Sequence, residues 1–359
     1  MTRRRRPELW TSVPCLPKVA VREAERAERE GWDGILLADS QNLGSDVFVE
    51  LAMCAANTDR VRLGPGVTNP VTRHPAVMAS AAATLQAESA GRFVLGIGRG
   101  DSALAYLGYA PASVDYFEGY IQALQGYLRG EEIAFSRKWG SEALKPVAEL
   151  ELGTEPPGSA LRWLRADQPK VPVDIAATGP RMIDLATTAG DSVTFSVGAN
   201  PERVGWAVDR ARRARSDGEE RVPLRLGAYI NMAVHDDVAV ARRLISGGLA
   251  SFSRFSVMHG TVTAAAQAAD QGVLTALHDA YDMTNHGYAG ASHLQVLEGD
   301  FIDRNGVVGS ASTCLERLRS LWELGIERFV IMTLPAREPD AAEAHAALVD
   351  EVLPAVAEW

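Results

Sequence analysis

Two stretches of the sequence carry residue types suited to holding a flat, anionic ligand. In Ala176-Ala177-Thr178-Gly179-Pro180-Arg181-Met182 a strand end turns into a helix start. The N–H groups of a first helical turn have no partner within the helix, proline suits its first position, and Arg181 adds a full charge, so the segment fits a phosphate seat. It equally fits an ordinary helix start with a surface arginine. In Leu63-Gly64-Pro65-Gly66-Val67-Thr68-Asn69-Pro70, two glycines and two prolines interrupt what is otherwise a buried strand. Glycine inside a strand marks a bulge or the close approach of another group, and a plain kink at a corner reads the same way.

The elements that must position these stretches alternate along the chain. Short β-branched runs are followed by longer helical patterns from one end to the other, the signature of βα units and a parallel sheet. Candidate strands are 9–13, 34–39, 61–68, 92–98, 173–177, 192–197, 224–234 and 328–334. Helical patterns cover 17–30, 46–57, 75–90, 114–129, 181–189, 201–216, 312–324 and 340–356. Eight such units in 359 residues predict an α/β protein, a (β/α)8 TIM barrel formed as a single domain over 1–359. Irregular insertions interrupt it at about 131–170 and 237–310. Long irregular segments in compact domains are usually lids or binding loops. A doubly wound open sheet is the runner-up, but Gly96-Ile97-Gly98-Arg99-Gly100 has the wrong spacing for a dinucleotide fingerprint.

In a parallel barrel the reactive groups sit where strands end. Those positions are Thr11 and Ser12, Asp39 to Gln41, Gly66 to Asn69, Gly98 to Asp101, Ala177 to Arg181, Val197, Gly198 and Pro335. They contain no His, Asp and Glu at metal spacing, and no Ser or Cys beside a His. They are rich in Gly, Thr and small residues, so the chemistry is borrowed from a cofactor that the protein orients. A net charge of −10 argues against a nucleic-acid partner, since phosphate backbones need a basic face. No apolar run approaches the roughly 18 residues of a membrane span. Cys15, Cys54 and Cys314 suit neither a disulfide framework nor a zinc site, and a reducing cytoplasm is the simplest setting. The run from Arg3 to Arg6 reads as a solvated, frayed tail.

The stretch LGPGVTNPVTRHPAVMASAAATLQAESAGRFVLGIGRGDSALAYLG, inside 61–108, closely resembles methylenetetrahydromethanopterin reductases and their neighbours in the luciferase-like family. Gly31-Trp32-Asp33 leading to Asp39, the TGPRM phrase at 178–182, and a weaker match from Val307 to Leu334 extend the likeness to about two-thirds of the chain. The insertions are not covered. The resemblance implies coenzyme F420 as cofactor, with FMN the alternative, and hydride transfer to or from an imine, enone or alcohol. In the FMN case a flavin reductase partner and O2 would be involved; a non-catalytic F420-binding protein is a further alternative.

Residue by residue, the resemblance places Asp39 near the ring and Gly66-Val67 behind it, joined by a non-prolyl cis peptide and flanked by Thr68 and Asn69. It gives Ala176, Ala177, Thr178, Gly179, Pro180 and Arg181 to the ribityl chain and phosphate. Related reductases and sugar-phosphate dehydrogenases carry Asp-His where this chain has Asp39-Ser40. Ser40 and Gln41 are therefore the catalytic candidates, positioning a substrate that brings its own acid or base. His74 reads as structural, and His286 and His293 as solvated loop residues or parts of a lid. Trp10, Trp139, Trp163 and Tyr288 are core residues or pocket walls. The resemblance also implies a homodimer through 46–57 and 75–90, where Ala79, Ala81, Ala82, Ala83 and Ala87 would give a flat surface.

Overall fold

The computed structural model describes residues 5–136, 139, 143–215, 224–262, 268–288 and 290–359. Arg3 and Arg4 of the basic run, and the last residue of the expected 201–216 helix, lie outside the described residues. Arg6 is not frayed: its guanidinium grips the Asp33 carboxylate at 2.7 and 2.8 Å, and Asp33 also accepts from the Leu9 N–H. That second bond fixes the carboxylate, so the arginine has a rigid partner.

Eight parallel strands form one sheet: β1 (Glu8–Val13), β2 (Gly34–Leu37), β3 (Arg62–Pro65), β4 (Leu95–Ile97), β5 (Val173–Ala177), β6 (Ser192–Phe195), β7 (Arg225–Ile230) and β8 (Arg328–Met332). Their order is β3-β2-β1-β8-β7-β6-β5-β4, and parallel bridges at Leu63–Phe93 and Thr68–Ile97 join β3 to β4. The ring closes there, which removes the open-sheet alternative. A Cβ on Gly64 would lie 2.2 Å from the Val94 carbonyl, and one on Gly96 would lie 2.2 Å from that of Pro65. The glycines thus mark a close approach of two backbones, and β3 is no ordinary strand with a kink. The Gly66–Val67 peptide is cis.

Helices wrap the ring by burying small or branched residues on one stripe. Helix Val19–Glu30 buries Ala20, Ala24 and Ala27 and stops at Gly31, whose φ of 87° suits glycine. Helix Val47–Ala56 is capped by Asp46, and helix Pro75–Glu88 by the His74 ring, which accepts from the Ala76 N–H. Ala79, Ala82 and Ala83 do not form a flat outer surface; they are buried, and their helix packs on Val114–Leu128. Among the described residues no helix is long and apolar enough to cross a membrane.

At the N-terminal ends of the strands a charged cluster closes the barrel. Glu8 pairs with Arg225 at 2.7 Å and Arg62 at 3.5 Å, while buried Asp174 accepts from Ser192, Thr194 and Arg328. Above it lie Trp10, Leu36, Val94, Tyr229 and Val330, then a half-buried layer of Val67, Ala176, Phe252 and Met332. The expected strand 224–234 is two pieces. Beyond Asn231 the chain leaves the barrel, and Met232–Val234 pairs in parallel with Val307–Gly309. Between these lies the second insertion, with helices Val238–Ser253, Ala268–Ala280 and Gly299–Asn305. The first insertion holds a small antiparallel pair, Ile133–Ala134 with Gly158–Ser159.

Candidate functional site

The loops after β2 and β3 are locked together by one hydrogen-bond network. Buried Asp39 accepts from Gln41 Nε2 at 2.7 Å and from Thr68 Oγ1 at 2.6 Å, with Arg73 at 3.6 Å. Burial pushes its carboxyl above the ordinary value, and the bond from Thr68, the charge of Arg73 and the bond from Gln41 pull back. Asn69 donates to Gln41 Oε1 at 3.2 Å and accepts from the N–H groups of Val71 and Thr72. Gln41 is thus engaged at both ends of its amide and positions its neighbours. Ser40 turns the other way, with its Oγ 3.3 Å from that of Ser102 in the loop after β4. Half-buried Thr11 lies 3.5 Å from Thr333, hydroxyl to hydroxyl.

After β5 comes the candidate anion seat. Ala176, Thr178 and Gly179 are half-buried and Ala177 buried; Thr178 Oγ1 donates to the Ser196 carbonyl at 3.4 Å. Helix Pro180–Ala189 starts at Gly179 without a side-chain cap. Arg181 is exposed and pairs with exposed Asp115 at 3.0 Å. A residue absent from the sequence-based set completes the picture. Arg99, at the end of β4, donates to the Ala112 carbonyl, and burial followed by the charge of Arg181 lowers its pKa. Its signal in the sequence was an arginine set within the glycine run Gly96 to Gly100.

The second insertion supplies a roof. Arg254, buried, forms an ion pair with Asp101, which precedes the short helix Ser102–Ala105 after β4. Tyr106 donates its hydroxyl to the Met283 carbonyl at 2.8 Å, and Phe252 packs on Tyr229 with ring centroids 5.5 Å apart. Tyr281 Oη lies 2.6 Å from His286 Nδ1 and 3.3 Å from Ser251 Oγ. His293 is buried and stacks on Tyr281 at 4.3 Å, and His286 is half-buried, so neither is a solvated loop residue. Burial lowers the pKa of both.

The aromatic candidates lie elsewhere. Trp10 is fully buried inside the barrel beneath the site, and Trp139 packs on Tyr116 and Tyr120 of an outer helix. Trp163 and Tyr288 are exposed. A groove of about 370 Å3 opens at the opposite end of the barrel, beside Arg212, Trp322 and Glu327. It lies away from every strand end where a parallel barrel places its chemistry. Among the described residues no His, Cys, Asp and Glu group is arranged to hold a metal ion.

Small residues at Gly98, Val67 and Ala176 thus lie together at the strand ends, helix Pro180–Ala189 starts nearby without a side-chain cap, and Tyr281, His286 and His293 cluster on the second insertion. The sequence profile of the luciferase-like monooxygenases matches residues 11–328. The 5,10-methylenetetrahydromethanopterin reductase of Methanolobus tindarius is 26% identical over 327 residues, covering 89% of this chain and 91% of that protein. The F420-dependent glucose-6-phosphate dehydrogenase of Beutenbergia cavernae is 30% identical over 228 residues, 61% and 64% of the two chains. The solved structure of the F420-dependent tetrahydromethanopterin reductase of Methanopyrus kandleri superposes with a TM-score of 0.75 at 19% identity, covering 98% of this chain and all of that one.

Proposed function

The chain belongs to the luciferase-like monooxygenase family, and from that premise we propose that it is an F420-dependent oxidoreductase acting on a small organic substrate of the imine, enone or alcohol class. The observation that carries this reading is the uncapped start of helix Pro180–Ala189, with Arg181 in its first turn and Arg99 just past the end of the neighbouring strand, close to the small residues Val67 and Ala176. A helix N-terminus with two cations is a ready seat for a phosphate. Relatives named for F420 favour the deazaflavin over FMN.

When bound, the deazaflavin supplies a two-electron hydride donor or acceptor. The chain's own residues do the rest. Arg99, Arg181 and the N–H groups after Gly179 would hold the phosphate, and Thr178 and Ala176 to Ala177 would border the ribityl chain. Asp39, held by Gln41, Thr68 and Asn69, fixes the loops that back the ring with Gly66 and Val67. Ser40, whose hydroxyl meets Ser102, would be available to position the substrate. We place the enzyme in the cytoplasm as a homodimer. Val49, Met53 and Val77 are exposed on helices Val47–Ala56 and Pro75–Glu88, a more apolar face than solvent favours. Sedimentation at micromolar concentration is expected to give a dimer, and a monomer would remove that part.

Titration with F420 and with FMN, followed by native mass spectrometry, tests the cofactor. F420 is expected to bind one per chain and FMN weakly. Tight FMN binding with no F420 binding, together with O2 consumption by the reduced protein, would make it a monooxygenase.

A further inference from the structure

We propose that Tyr281 and His286, on the second insertion, form the proton relay of this site, Tyr281 Oη meeting the substrate and His286 standing behind it. The relay rests on the hydride-transfer reading above. It answers a question that reading leaves open, because Ser40 offers no acid or base near neutral pH.

The pair is built rather than incidental. Tyr281 Oη and His286 Nδ1 are 2.6 Å apart, a short hydrogen bond. Three further contacts hold the phenol: Ser251 Oγ at 3.3 Å, the Arg254 guanidinium 4.9 Å from its ring centroid, and the His293 ring stacked at 4.3 Å. His293 is itself oriented, since its Nδ1 accepts from the Asp282 N–H. Arg254 ties the assembly to Asp101, and the next residue, Ser102, touches Ser40. A contiguous run of polar groups therefore joins the end of β2 to the relay across the mouth of the barrel.

The charges around the pair decide which way protons run. His286 is faced by Tyr281, by Asp101 from the loop after β4, by Arg254 from the turn after helix Val238–Ser253, and by His293. Burial is the largest influence and lowers its pKa; Asp101 opposes this, while Arg254 and His293 add to it. Burial raises the pKa of Tyr281 above all, against the bond from Ser251 and the charge of Arg254. At neutral pH the imidazole is neutral and the phenol protonated, and in the Nε2–H tautomer of His286 the relay requires, Oη–H donates to Nδ1.

That resting state suits removal of a proton. A substrate carrying a hydroxyl or amine hydrogen on the carbon to be oxidised gives that proton to Tyr281 Oη, as Oη passes its own to His286. The C–H hydrogen would leave as hydride, with its electron pair, to the oxidised deazaflavin that the proposed function supplies as acceptor. One O–H or N–H bond and one C–H bond break, a carbonyl or imine forms, and the imidazolium releases its proton through the half-exposed side of the ring. The reverse reaction draws the proton from the imidazolium.

Two arms test the relay. In the first, histidine NMR is recorded through a pH titration of the cofactor-free protein, wild type and Tyr281→Phe. His286 is expected to titrate below the ordinary value of about 6.5 and to shift in Tyr281→Phe. Ordinary titration unmoved by Tyr281→Phe overturns the relay whether or not F420 binds. In the second, an alcohol and amine panel is oxidised with F420 across pH by wild type, His286→Gln and His286→Asn. Wild-type kcat/KM is expected to fall on the acid side as the imidazole protonates. Both variants should lose about 100-fold or more and the acid limb with it, at unchanged F420 affinity. Variants that keep the rate and the limb overturn the relay. Failure of wild type to bind F420 overturns the cofactor assignment instead, and leaves the NMR arm to judge the pair.

Discussion

The two insertions read alike in sequence and are anchored in different places. The first is held by the outer helices: Tyr127 meets Ser159, Gln168 donates to the Ala83 carbonyl, and Trp139 packs on Tyr116 and Tyr120. Leu144, Leu150 and Trp163 stand exposed on it. The second reaches inward to the strand ends, through Arg254 to Asp101, Tyr106 to Met283 and Phe252 to Tyr229. Both are long, irregular and rich in turn residues. What separates roof from ornament is where the buried charge finds its partner.

The comparison can be broken most sharply at Arg254. Arg254→Ala leaves the Asp101 carboxylate without its partner in a largely buried setting, and should cost about 3 kcal/mol. Chemical denaturation measures the loss, and proteolysis should nick the second insertion first. Stability within error of wild type would mean that the insertion is not held by this pair.

On the site wall, Arg99→Gln should weaken F420 binding by about 1.5 kcal/mol, the value of one charge-assisted contact. Arg181→Ala should cost less, about 1 kcal/mol, since that side chain is exposed and shared with Asp115. Calorimetry ranks the two; the reverse order would move the phosphate outward along the helix.

Acid sharpens the contrast further. His286 and His293 have lowered pKa values in the folded chain. As pH drops below about 6.5 the unfolded chain binds protons that the folded one does not, so folding stability falls until the lowered folded values are reached. The first insertion contains no histidine. Amide exchange at pH 7 and pH 5 should show the second insertion loosening and the first unchanged. The smallest effect is expected from replacing 144–156 with a Gly-Ser linker of equal length: stability within about 0.5 kcal/mol and F420 affinity unchanged.

The barrel was legible because short apolar strands alternate with helical stripes, a local pattern that each βα unit repeats. The glycines at 64 and 66 left a close approach and a plain kink open, and only the structure shows that Gly64 and Gly96 let β3 and β4 approach. The start of helix Pro180–Ala189 showed in its proline. Arg99 was visible at a strand end, but its nearness to Arg181 depends on how β4 and β5 lie side by side. The roof was not legible. Asp101 and Arg254 are 153 positions apart, and Tyr106 and Met283 177 apart, with no periodicity linking them. His286 and His293 look like loop residues until Tyr281 and Arg254 are seen beside them.

Amide hydrogen exchange with and without F420 tests the central assignment most directly. Protection is expected at 66–69, 98–102 and 176–182 on the barrel and at 251–256 and 281–286 on the roof, with 143–164 unchanged. Protection of 143–164, with none at 176–182 or on the second insertion, would place the cofactor elsewhere and reverse the roles of the two insertions.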